Sequence, residues 1–317
     1  LGYRSFHAAM SERFGGKVYK LSLDGGMTCP NRDGSLDHRG CIFCSELGSG
    51  DFAAPHCDDL AMQLTQAKER VKQKSGEGAY IAYFQSFTNT YAPIAYLESL
   101  FWEAIRSPDI VALSIATRPD CLPWEVLELL SKLNEVKPVW VELGLQSIHP
   151  QTVAYIRRGY DNHCFDEAVK RLKGAGIEVI AHMILGLPGE AREMMVETAR
   201  YIGDRGADGI KLQLLHVLEG TDLAEDYRRG AFQTLSLEEY IACLEACLRV
   251  LPPHMVIHRL TGDGPKARLL APRWSGDKKR VLNEIHRAIS RDGLEQGSLW
   301  VESIGTDENH SMGGIVR

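Results

Sequence analysis

The sequence predicts an α/β fold built on a parallel sheet, either a barrel or a doubly wound sheet. Three observations carry this. Six short runs are apolar and β-branched, five stretches between them place apolar residues at helical spacing, and strand–helix pairs recur about every 30 residues. The first strand is Val18–Leu23, followed after a long loop by a helix at Asp58–Lys74. Strand Ala79–Gln85 leads to helix Ile94–Ser107, whose Leu97, Leu100, Phe101, Ala104 and Ile105 share one face. Strand Ile110–Thr117 leads to helix Trp124–Asn134, and strand Val139–Leu145 to helix Phe165–Gly174. Strand Ile177–Ile184 leads to helix Glu193–Gly203, and strand Gly209–Leu215 ends the series. Near-continuous hydrophobic runs are what strands covered on both faces require. From about Gly220 the alternation stops, leaving a helix at Leu237–Leu251, a short strand at Met255–Leu260 and a basic helical stretch. The expected division is an N-terminal segment 1–17, a βα unit 18–219, an extension 220–304 and a disordered tail 305–317.

At 317 residues and 44% hydrophobic, the chain has ample material for a large core. No 18-residue apolar run suggests a membrane helix, and the first residues lack a signal peptide's apolar run. Eight cysteines in a chain of this size suit reduced thiols, so a cytoplasmic setting is expected. The net charge of −6 gives no global attraction to nucleic acid.

The loop after the first strand holds Cys29, Cys41 and Cys44, spaced C-x11-C-x2-C. With a proline and two glycines and no periodicity it reads as a loop, and a loop this long calls for a functional reason. Three readings compete: an iron–sulfur cluster held by three thiolates with one iron open, structural zinc with Cys57 or His38 as a fourth ligand, or cysteines that bind nothing. A single Cys-x2-Cys pair puts the cluster ahead of zinc. Polar residues also gather where each strand ends, as active-site residues do in α/β barrels. They include Gln85, Ser86, Thr88 and Asn89; Thr117, Arg118 and Asp120; Glu142, Gln146 and Ser147; His182 and Gly186; Lys211, Gln213 and His216. Cys243 and Cys247, at i, i+4 on a helical pattern, read as core, while Cys121 and Cys164 stand alone.

Several segments together resemble the radical S-adenosylmethionine (SAM) enzymes, most closely the YhcC-type family related to the Elongator catalytic subunit. They are LSLDGGMTCPNRDG and GCIFC within Leu21–Cys44, YFQSFTNTYAP at Tyr83–Pro93, SIATRPDCLP at Ser114–Pro123, VELGLQS at Val141–Ser147, HMILGLPGE at His182–Glu190 and HRLTGDGP at His258–Pro265. The first cysteine gap is longer than the commonest C-x3-C-x2-C form, which is itself a mark of related subfamilies.

The resemblance implies a partial (β/α)6 TIM-like barrel with a C-terminal α/β extension. It implies a [4Fe–4S] cluster on Cys29, Cys41 and Cys44, SAM on the fourth iron, and reductive cleavage to a 5′-deoxyadenosyl radical. It places Gln85, Ser86, Thr88 and Asn89 by the methionine amino group, with Thr117 and Arg118 beside them, and Arg118 pairing with either the methionine carboxylate or Asp120. Glu142 and Gln146 would face the ribose. His182 and Gly186 would lie toward the adenosine, with Gln213 on the sixth strand completing the cofactor set. The implied partners are an electron donor such as a flavodoxin or ferredoxin and, for a wobble-uridine modifier, tRNA.

Residues 261–291 hold eight Lys or Arg against three acids, a net +5 within a chain of −6. Lys278, Lys279 and Arg280 form the candidate nucleic-acid surface, which Arg157–Arg158 and Arg228–Arg229 could extend. The alternatives are a radical enzyme for a small metabolite or peptide, with the basic stretch incidental, and a zinc-bearing scaffold without chemistry.

Overall fold

A computed structural model describes residues 1–301 apart from 49, 55, 58, 76, 77 and 263. The expected tail therefore lies outside the described residues, as does Asp58. The elements in order are α1 (Phe6–Phe14), β1 (Val18–Leu23), α2 (Leu60–Ser75), β2 (Ala79–Phe84), α3 (Ile94–Arg106), β3 (Ile110–Thr117) and α4 (Trp124–Asn134). Next come β4 (Val139–Gln146), α5 (Pro150–Tyr155), α6 (Asn162–Gly174), β5 (Glu178–Leu185), α7 (Arg192–Asp204), β6 (Gly209–Leu214), β7 (Val217–Leu218) and α8 (Asp222–Arg228). The chain closes with α9 (Leu237–Val250), β8 (Val256–Arg259), β9 (Leu269–Ala271) and α10 (Lys278–Arg291).

One seven-stranded sheet runs β1-β2-β3-β4-β5-β6-β8, every neighbouring pair parallel. The architecture is the partial TIM-like barrel expected, opened by one more strand. The segment Met255–Leu260, assigned to the extension, pairs with β6 and so belongs to the main sheet. β7 and β9 form a small antiparallel pair outside it.

Alternation along each strand sorts the side chains onto two faces. Leu21, Leu23, Phe84, Leu113, Ile115, Val141, Leu143 and Met183 join the core shared with the surrounding helices. From α3 come Leu97, Phe101, Ala104 and Ile105, all buried. The other face turns inward, and at one end Val18, Ile81, Ala112, Trp140 and Ile180 close on Ala9 and Met10 of α1. That helix is capped by Ser5, whose Oγ accepts from the Ala8 amide, and ends on Gly15 at φ 72°. The residues before α1 are tied to the last strand: Ile257 N donates to Arg4 O at 2.8 Å, and Ser5 bridges Ile257. α1 thus packs over the end of the barrel away from the cysteine loop, leaving the strands' C-terminal ends open to a site.

Candidate active site

A cavity of about 630 Å³ opens at the C-terminal ends of the strands. Cys29, Cys41 and Cys44 line it together with Gln85, Thr88, Thr117, Arg118, Glu142, Gln146, His182 and Gln213, which arrive from β2 to β6 and the loops after them. Residues far apart in the chain meet here because parallel strands deliver all their C-terminal ends to one side.

The cysteine loop holds its own shape. Arg32 and Asp33 amides return to Cys29 O, Leu36 N to Pro30 O, and Cys44 N to Cys41 O. Gly40 N donates to Asn31 O at 2.7 Å. At φ 76° Gly40 takes a left-handed conformation that favours glycine, and an added Cβ would lie 2.9 Å from Arg32 Nε and displace that guanidinium. The Arg32 guanidinium donates to the carbonyls of Cys44 and Ser45, drawing the two ends of the loop together. Buried Asn31 donates to Arg157 O at 2.8 Å and to Cys41 Sγ at 3.4 Å. A hydrogen bond from Cys44 pulls the Cys41 thiol down to about 7, helped by Asn31 and the Arg118 and Arg157 charges. The same bond, with burial, pushes Cys44 up. The pair therefore releases one proton readily and holds the second. Cys57 sits elsewhere, its thiol against Met62 Sδ at 3.9 Å. Among the described residues, no group of three or more His, Cys, Asp or Glu side chains, the loop cysteines included, is closed on one metal position.

The cavity floor is a charged network. Glu142, wholly buried, accepts from Lys20 at 2.7 Å and Ser114 at 2.8 Å on Oε1. On Oε2 it accepts from His182 at 2.7 Å and from Lys211. Lys211 also donates to the Tyr83 hydroxyl at 2.8 Å. Burial raises the Glu142 carboxyl, but Lys20, Lys211 and the His182 hydrogen bond outweigh it and hold it well below the usual carboxylate range. Burial drives Lys211 well below and Lys20 below the ordinary lysine value. His182 falls to about 4 through burial and the Lys211 charge, so it is neutral at pH 7. Both Glu142 oxygens are spent on these four donors. Glu142 thus organises the floor of the cavity that it lines.

The structure places the other expected residues individually. Arg118 makes the alternative pairing, Nε to Asp120 Oδ1 at 2.9 Å and Nη2 to Oδ2 at 2.7 Å, while Nη1 donates to Arg158 O. Gly186 stands off the cavity lining, its Cβ position facing Leu235 and its amide on Met195 Sδ. Ser86 and Asn89 are buried just behind the lining, Asn89 donating to Ala116 O at 2.9 Å. Gln146 takes φ 62°, which turns it at the end of β4. Tyr160, unremarked in the sequence, lies between the Arg118 and Arg158 guanidiniums and donates to Gly144 O at 2.7 Å. Lys278 lines the cavity, whereas Lys279 and Arg280 are exposed outside it. The arginines expected to extend the basic surface are engaged with groups of the protein itself. Arg157 pairs with Asp222, Arg228 with Glu219 and Glu225, and Arg229 with Asp226, while Arg158 is buried on main-chain carbonyls.

This arrangement meets a direct counterpart among known proteins. The family model of the radical SAM superfamily matches residues 38–202, and that of the radical SAM C-terminal domain matches residues 207–291. The chain belongs to the radical SAM superfamily. Within it the chain is similar to the uncharacterized protein YtqA of Bacillus subtilis, 45% identical over 94% of this chain and 92% of that protein. Protein YhcC of Escherichia coli is 35% identical over 93% of this chain and 94% of its own length. A tRNA uridine(34) acetyltransferase of Methanocaldococcus infernus is 32% identical over 58% of this chain and 34% of its own length. The solved archaeal Elp3 of the same organism shares the fold, with TM-score 0.66 and 20% identity over 88% of this chain and 64% of that one. As a radical SAM protein the chain is a SAM-dependent enzyme that uses a [4Fe–4S] cluster. The residues present fit those groups. Three thiols face one cavity, a donor set such clusters take. Beside it Ser86 Oγ and Asn89 Oδ1 are buried with no partner, polar atoms prepared for a polar ligand.

Sequence reasoning missed Lys20, Tyr83 and Ser114 as parts of the site and passed over Lys211 as one strand-end polar residue among many. The available signal was an ionisable side chain flanked by apolar residues inside each of four strands: Lys20, Glu142, His182 and Lys211.

Proposed function

We propose that Cys29, Cys41 and Cys44 ligate the cluster, that SAM lies against Gln85, Thr88, Thr117 and Gln146 with Ser86 and Asn89 behind, and that the substrate is the wobble uridine of tRNA. When bound, the cluster and SAM supply an organic radical able to abstract hydrogen from a substrate. The chain's own residues do the rest. Asn31 steadies the Cys41 sulfur, and Asp120 locks Arg118 so that its remaining N–H groups keep a fixed direction. Apolar Ile184, Leu215 and Leu218 on the cavity wall limit water. The electron comes from a donor protein, and the setting is cytoplasmic. Among the described residues no helix is long and apolar enough to cross a membrane.

The observation that supports an RNA substrate is the placement of the basic stretch: Lys278, at the head of α10, lines the catalytic cavity itself. The similarity to a tRNA uridine(34) acetyltransferase points the same way. The test is incubation of the reconstituted, reduced enzyme with SAM and bulk tRNA, followed by nucleoside analysis. A changed wobble nucleoside supports the reading; unchanged nucleosides alongside SAM cleavage refute it. A free metabolite is the second reading, favoured by a cavity of about 630 Å³, a size that suits a small molecule.

A further inference from the structure

One buried side chain ties the cysteine loop to the segment after α5. Asn31, 2% exposed, directs Nδ2 at Arg157 O at 2.8 Å, at Arg158 O at 3.4 Å and at Cys41 Sγ at 3.4 Å. Main-chain carbonyls only accept, so the amide turns its donor nitrogen, not Oδ1, toward them and toward the sulfur beside them. The backbone is bent to allow this. Arg157 takes φ 56°, uncommon for a residue with a side chain, and Gly159 takes φ 84°, where a Cβ would lie 2.9 Å from Asn31 Oδ1. The bend is pinned by its own side chains. The Arg157 guanidinium pairs with Asp222 at 2.6 Å, and that of Arg158 donates to Leu145 O and Ser147 O at 2.8 Å. Ile42 N donates to Ile156 O at 3.2 Å, which holds Cys41 against the same segment. A donor fixed this firmly on a sulfur keeps its direction when the charge on that sulfur changes.

We propose that Asn31 is a positioning residue that sets the reduction potential of the cluster through Cys41. The inference rests on the reading of Cys29, Cys41 and Cys44 as the cluster's ligands and adds to it a residue that decides how readily an electron is accepted. Reduction makes the ligand sulfurs more negative. An N–H directed at one of them therefore stabilises the reduced form more than the oxidised one. Asn31 raises the potential, and the donor protein reduces the site more easily for it.

The experiment uses the anaerobically reconstituted full chain, titrated by EPR against solution potential in the absence of SAM. Asn31→Leu, close in size and without a donor, should lower the reduction equilibrium constant about tenfold, which is about 59 mV for a one-electron couple. Asn31→Asp, of the same shape, should lower it further, because a carboxylate stands where the donor stood. Water entering a loosened loop would act in the opposite direction, since solvent stabilises the more negative form. An unchanged or higher potential in both variants therefore overturns the inference and leaves the ligand reading standing. A second measurement needs no variant. Wild-type protein carrying nitrogen-15 only in asparagine side chains should show a nitrogen coupling to the reduced cluster in pulsed EPR. Absence of that coupling, or its survival in Asn31→Leu, also overturns the inference. A wild-type chain that takes up no cluster overturns the ligand reading as well.

Discussion

Glu142→Gln is the most informative single change in the barrel. The wild-type carboxylate is wholly buried and accepts from Lys20, Ser114, His182 and Lys211, two of them ammonium groups. Glutamine keeps one acceptor oxygen and turns an NH₂ toward donors that no longer find a lone pair. Two lysines then stand in the barrel with no carboxylate between them. Removing one partner of a buried pair typically costs about 3–5 kcal/mol, because the remaining charge is left uncompensated. Denaturant unfolding at pH 7 should show a loss of that order. The deficit should shrink as pH rises. Burial already depresses both lysines in the folded state, so the unfolded chain binds more protons below the ordinary lysine value and stability climbs with pH. Adding Lys20→Met to Glu142→Gln should recover part of the loss, because one excess charge is gone. A Glu142→Gln variant within about 0.5 kcal/mol of wild type, or a Lys20→Met loss that simply adds, would refute the charge balance described for the floor.

His182 should stay neutral down to about pH 4, protonated on Nε2 toward Glu142, and nitrogen NMR would follow it. A midpoint near 6.5 would contradict the buried network. Its folded value lies below the unfolded one, so its contribution is complete above about pH 6.5 and is lost as pH falls toward 4. Met10→Ala should cost about 2–5 kcal/mol in unfolding experiments, since Met10 is 5% exposed where α1 closes the barrel end. An unaltered denaturation midpoint would mean that α1 merely rests there.

The sheet was legible because parallel strands covered on both faces must be apolar along their length. Strands such as Val18–Leu23 and Ile110–Thr117 therefore announce themselves to the residue. The cysteine loop was legible because a connection that long, carrying three cysteines at that spacing, does not suit an ordinary βα turn. What escaped depends on contacts distant in sequence. β8 is a short run whose membership in the sheet is decided only by pairing with β6. The packing of α1 follows from inward residues of five strands meeting it. The ribose role expected for Glu142 follows from the family resemblance, and β4 alone does not announce the network around that carboxylate. Only the arrival of Lys20 from β1 and Lys211 from β6 consumes its oxygens. Likewise the acids that face Arg157, Arg228 and Arg229 are revealed only by the fold.

The central claim is that the cavity behind Cys29, Cys41 and Cys44 performs radical SAM chemistry. The direct measurement is anaerobic reconstitution with iron and sulfide, reduction in the presence of SAM, and assay for 5′-deoxyadenosine, run beside Cys29→Ala, Cys41→Ala and Cys44→Ala. A brown wild-type protein that releases 5′-deoxyadenosine, with all three variants losing both colour and product, is the predicted result. Product formed equally by the three variants would contradict the assignment of these thiols as the cluster's ligands.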